Sequence, residues 1–88
     1  MSDLDVLLDL PPDTLRLMTA RQGRIYRFIT WFIDQHGFSP SMREIAEHLG
    51  LSLGSTVHGD VCRLEELELI RRTPDRARTI TLVELEAT

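Results

Sequence analysis

The sequence predicts a mainly α domain with a small β-hairpin, and three observations carry that expectation. Thr19–Gln22 and Ser41–Glu44 are both capping-box patterns, and each opens a run of helically spaced apolar residues that a glycine closes. A further run, from Leu53–Ser55 to about Leu67, repeats the helical spacing. Two short β-prone runs then flank a turn-rich basic segment, as a hairpin requires.

The elements follow in order. Met1–Pro12 is acidic and apolar, with Leu4, Leu7 and Leu8 at i, i+3, i+4 spacing and Pro11-Pro12 ending any helix there. Such a segment either packs on its own domain or serves as a dimer or partner contact. Thr19 caps a helix predicted over Ala20 to His36, stopped at Gly37. Its inward face is Ile25, Phe28, Ile29, Phe32 and Ile33, and steps of about 100° per residue put Arg24, Arg27 and Trp31 off that face. Trp31 therefore joins Leu4, Leu7 and Leu8 as a candidate dimer or partner contact. Ser41 caps a shorter helix that turns Ile45, Ala46 and Leu49 inward and stops at Gly50.

The third predicted helix buries Val57, Val61, Leu64 and Leu67. Opposite lie Ser55, Gly59, Cys62, Arg63 and Glu66, with Thr56 and His58 at the edges. The outward face of its first half is small and polar, a surface that can approach base edges and offer hydroxyl or imidazole hydrogen bonds. Leu69–Arg72 and Thr79–Leu82 are the expected strands, with Arg71, Arg72, Arg76 and Arg78 around the turn. Capped helix, turn, second helix and basic hairpin are the order of a winged helix-turn-helix, which places one helix in the DNA major groove. Three stretches follow: an extension over 1–17, the folded domain over 18–82 and an acidic tail over 83–88.

Eighty-eight residues make one domain with a small core. No apolar run approaches the roughly 20 residues that span a bilayer. The acidic N-terminus is the reverse of a secretory leader, and the single cysteine cannot form an internal disulfide. A cytoplasmic location, nucleoid-associated when DNA-bound, is the expectation. The net charge of −4 argues against DNA until its distribution is read. Six acids lie outside Thr14–Leu82, and the remainder holds ten Arg against eight acids, a net of +2. Every basic residue is Arg, which suits bidentate phosphate and guanine contacts, although a coding bias gives the same composition.

The chain carries no nucleophile elbow, phosphate loop or paired-carboxylate signature, so no enzyme is expected. His58 and Cys62 stand at i, i+4, but a transition-metal site needs a third ligand, for which His48 is the candidate. The pattern is read as a DNA-facing histidine and a half-exposed thiol, with no cofactor and no metal.

With these residues in view, the chain resembles the N-terminal DNA-binding domain of LexA-type repressors. The likeness lies in MTARQ at 18–22, GFSPSMREIAEHLGL at 37–51, STVHG at 55–59, RLEELELIRR at 63–72 and the arginine-rich segment before TITL. It covers about Met18 to Leu82. The resemblance implies three helices, a two-stranded wing and dimeric binding to a palindromic operator in double-stranded DNA. It implies base contacts from Ser55, Thr56, His58 and Gly59, and backbone contacts from Thr19, Arg21 and the wing arginines, with Arg63 added as a backbone candidate. Relatives continue into a self-cleaving peptidase domain with a Ser-Lys dyad. This chain ends at Thr88 and has no Lys, so self-cleavage is not expected of it. Leu53 stands where a polar residue is common, and Glu68 where glycine is usual. A left-handed backbone at Glu68 costs about 1 kcal/mol, so the loop there is expected to differ locally.

Transcriptional repression through sequence-specific DNA binding is the resulting expectation. The rival is a protein-interaction module that keeps the winged-helix scaffold and binds another regulator or polymerase through its N-terminal extension.

Overall fold

The computed structural model describes residues 10–51 and 55–83, and of Ser55 the backbone alone. Leu4, Leu7, Leu8 and Leu53 lie outside the described residues. The elements are α1 (Pro12–Leu17), α2 (Ala20–His36), α3 (Met42–Leu49), α4 (Ser55–Glu66), β1 (Ile70–Arg71) and β2 (Thr81–Leu82).

Helix α1 was not foreseen. Pro11-Pro12 reads as a helix breaker, yet Pro12 occupies the first helical position, where no N–H is required and a fixed φ already suits the helix. The segment is anchored by Leu10, which is buried in the core, and by Leu15 and Met18, which pack against it.

Both capping boxes form with their two reciprocal bonds. Gln22 N donates to Thr19 Oγ1 at 3.1 Å and Thr19 N donates to Gln22 Oε1 at 3.0 Å. Glu44 N donates to Ser41 Oγ at 3.1 Å and Ser41 N to Glu44 Oε1 at 2.9 Å. Helices α2 and α3 end at Gly37 and Gly50, both left-handed. Burial along α2 is wider than the predicted stripe. Gln22, Gly23 and Tyr26 are enclosed along with Ile25, Phe28, Ile29 and Phe32, while Ile33 is only partly covered.

The core gathers Ile25 and Ile29 of α2, Ile45 of α3, Val57, Val61 and Leu64 of α4, and Leu69, Ile70 and Ile80 of the wing. Each such side chain contributes about 1.5–3 kcal/mol through burial. Helix α4 corresponds to the third predicted helix and stops one residue early, at Glu66. Leu69 N bonds to Leu64 O at 3.1 Å and Glu68 N to Glu65 O at 2.9 Å, the two bonds of a Schellman ending. Glu68 therefore takes φ +62 in the glycine position.

The strands pair antiparallel with Ile70 opposite Leu82 and Arg71 opposite Thr81. They are shorter than the predicted runs because both flanks do other work. Thr79 Oγ1 accepts from Thr73 N at 3.0 Å and faces the carbonyls of Thr73 and Arg76 at 3.2 and 3.1 Å, which closes the turn. Arg72 turns back onto α4. No helix among the described residues is long and apolar enough to cross a membrane.

Glu68→Gly removes the left-handed penalty while keeping both Schellman bonds. Urea unfolding is expected to show a gain of up to about 1 kcal/mol, with an unchanged m-value.

Candidate nucleic-acid interface

The first half of α4 presents a small polar surface. Thr56, His58 and Gly59 are exposed, while Val57, Asp60 and Val61 face inward. The side chain of Ser55 lies outside the described residues. A Cβ built on Gly59 meets nothing within 4 Å, so this stretch of helix is open to whatever approaches it.

Asp60 was missed in the sequence. It is 5% exposed and lies on the same face as Val57 and Leu64. Its position three residues after Val57 and four before Leu64 is the signal that marks it as inward. Arg21 Nε donates to Asp60 Oδ2, Arg21 Nη2 donates to Oδ1 at 3.3 Å, and Gln22 Nε2 donates to Oδ1 at 3.1 Å. Hydrogen bonding to Asp60, then its charge, raises the Arg21 pKa above the usual arginine value. Gln22 thus caps α2 through its oxygen and holds α4 through its nitrogen. Thr19, the other capping partner, is exposed, with its hydroxyl already accepting from Gln22 N.

The arginines expected on the DNA backbone separate into two groups. Arg21, Arg63, Arg72 and Arg78 are held in ion pairs with Asp60, Glu66, Glu65 and Glu44 respectively. Arg71 and Arg76 are exposed and have no acidic partner among the described residues. Arg72 is the most enclosed, with 17% of its side chain exposed, and its Nη2 lies 3.2 Å from Cys62 Sγ. Burial opposes its charge, but hydrogen bonds to Glu65 and Cys62 outweigh that and raise its pKa.

His58 Nε2 and Cys62 Sγ approach to 3.5 Å. His48 does not join them; it stacks on Phe28 with ring centroids 4.1 Å apart. No group of three or more His, Cys, Asp or Glu among the described residues is placed to hold a metal ion. Trp31 is 47% exposed and lines a shallow groove with Arg24, Arg27, Phe28 and His48. The structure does not place this groove among the candidate DNA-contacting residues. Leu4, Leu7 and Leu8, its expected neighbours, lie outside the described residues.

Chemically, the arrangement offers an exposed helix face with hydroxyl, imidazole and glycine positions, and two hairpin guanidinium groups without an acidic partner among the described residues. Small polar side chains can reach base edges, and free guanidinium groups attract phosphate.

The chain is similar to known proteins over most of its length. The family described as LexA DNA binding domain matches residues 15–79. The LexA repressors of Staphylococcus aureus strains Mu3 and Mu50 are each 46% identical to the chain over 69 residues, which is 78% of this chain and 33% of the relative. The LexA repressor of strain USA300 matches with the same identity and coverage. The chain spans about a third of the length of these curated relatives.

Two outcomes are expected. Asp60→Ala leaves the buried Gln22 amide without its acceptor and frees Arg21, at a cost of about 1–3 kcal/mol in chemical denaturation. Glu44 is held below the usual glutamate pKa, first by the backbone hydrogen bond from Ser41 and then by Arg78. A lowered folded value means that its contribution is full above the ordinary value and lost as pH falls through the lowered one. In thermal melts, the gap between the natural protein and Glu44→Gln is therefore expected to close as the pH drops below about 4.5, the ordinary glutamate value.

Proposed function

The chain belongs to the LexA DNA-binding domain family, and from that premise we propose that it binds double-stranded DNA sequence-specifically and represses transcription. Helix α4 enters the major groove, and Ser55, Thr56, His58 and Gly59 read base edges. The observation that carries this reading is the exposed face of Thr56, His58 and Gly59, with no neighbour near the Gly59 Cβ position.

Arg71 and Arg76 supply the phosphate contacts of the wing, because no acid among the described residues neutralises them. Thr19 and Arg21 flank the start of α2, and Arg63 lies further along α4. Each joins the backbone contacts where its present partner can be shared. One winged helix covers one half-site, so a palindromic operator is read by two copies. The extension over 1–17 assists as a weak homodimer or partner contact, with Trp31 as its neighbour on the domain. The folded unit over 18–82 carries the binding, and the acidic tail over 83–88 stays off the DNA. Repression is the activity in the printed name of the relatives, and the site of action is the cytoplasm, at the nucleoid. The protein-interaction reading retains one support, the exposed Trp31 beside Arg24 and Arg27.

Selection from random duplexes followed by fluorescence anisotropy over a salt series tests the proposal. Affinity is expected to fall steeply with salt. Gly59→Glu is expected to abolish sequence preference with its circular dichroism spectrum intact, because the added side chain projects into open space. Undiminished specific affinity in the folded variant overturns the assignment of α4.

A further inference from the structure

Arg78 is attached to a different part of the molecule from the other wing arginines. Its Nη1 lies 2.7 Å from Glu44 Oε1 and donates to the Ser39 carbonyl at 3.2 Å. Its guanidinium carbon sits 5.1 Å from the centre of the Phe38 ring. Carboxylate, carbonyl and ring face all belong to the segment 38–44, which opens α3. Two residues on, Ile80 N donates to Ser39 Oγ at 3.2 Å, and both residues are buried. The wing is thus joined to the start of α3 at two successive points, one ionic and one buried.

Glu44 Oε1 serves both structures. It accepts Ser41 N at 2.9 Å as the cap of α3 and receives Arg78 from the wing. Arg78 itself has φ +57, a left-handed conformation unfavourable for a residue with a Cβ. Such a conformation persists where surrounding contacts over-determine it. Its charge is already matched by a carboxylate, whereas Arg71 and Arg76 have none among the described residues.

We propose that Arg78 is a positioning residue for DNA binding: it locks the wing to the start of α3 and so sets where Arg71 and Arg76 meet the DNA backbone, without contacting phosphate itself. The DNA role rests on the function proposed above, whereas the latch within the free protein does not. Acting through placement, Arg78 alters affinity without altering the number of counterions released. A phosphate contact alters both.

The test has two arms. In the free 88-residue protein, amide hydrogen exchange at Ile80 reports the latch. Arg78→Ala is expected to speed it by about tenfold, the scale of one lost charge-assisted hydrogen bond. Glu44→Gln keeps an oxygen to cap Ser41 and loses the ionic partner, so it is expected to do the same. The double variant is expected to add little, since both remove one interaction. In the second arm, binding to a selected duplex is followed over a salt series. Arg78→Ala is expected to weaken affinity with an unchanged slope, while Arg76→Ala lowers the slope by about 1. Arg78→Gln, which retains a donor for the Ser39 carbonyl, replaces Arg78→Ala should the latter unfold. An unchanged Ile80 exchange rate overturns the latch. A slope lowered by about 1 in the Arg78 variant, or unaltered affinity, overturns its positioning role. Failure of the natural protein to bind any duplex overturns the DNA reading, and the exchange result still decides the latch.

Discussion

The buried carboxylate of Asp60 is the constraint on which the placement of α4 depends. A nearly enclosed charge is costly unless hydrogen bonds and an opposite charge offset its lost hydration. Arg21 and Gln22 supply both, and both belong to the first turn of α2. Apolar contacts among Ile25, Ile29, Val57, Val61 and Leu64 hold the helices together but tolerate small slides. The Asp60 bonds are directional, so they set where α4 stops along α2. The exposed face of Thr56, His58 and Gly59 follows from that register.

The charges are sorted by the same logic. An acidic chain attracts DNA when its acids are neutralised internally and some cations are left unmatched. Asp60, Glu44, Glu65 and Glu66 each take an arginine. Arg71 and Arg76 remain exposed on the hairpin. Formal net charge says little about such a surface, because the sign of a patch is set by which charges have partners.

One junction joins α2 to α4, and the other joins the start of α3 to the wing. Gln22 divides its amide between the α2 cap and Asp60, while Glu44 shares one oxygen between the α3 cap and Arg78. In each case a capping residue also makes a long-range contact. Local helix initiation and tertiary placement are therefore coupled, and loosening either cap loosens the adjoining element.

The capping residues, stop glycines and helical spacing determined α2, α3 and α4 from the sequence alone, because these signals act within one or two turns of chain. The inward stripe of α4 and the basic hairpin were legible for the same reason. The end of α4 was not: the cost of a left-handed backbone at Glu68 pointed to a loop that departs from the family pattern, yet two Schellman bonds and the burial of Leu69 hold that backbone in place. Helix α1 was not legible, since Pro12 is a breaker or a first-turn residue according to what Leu10, Leu15 and Met18 pack against. The role of Asp60 required knowing which side of α2 faces α4. Apart from the local Arg63–Glu66 pair, the division of the arginines was decided by tertiary structure, because Arg21 and Asp60 are 39 positions apart, and Arg78 is as far from Ser39. Sequence shows how many charges a chain carries, and the fold decides which of them face one another.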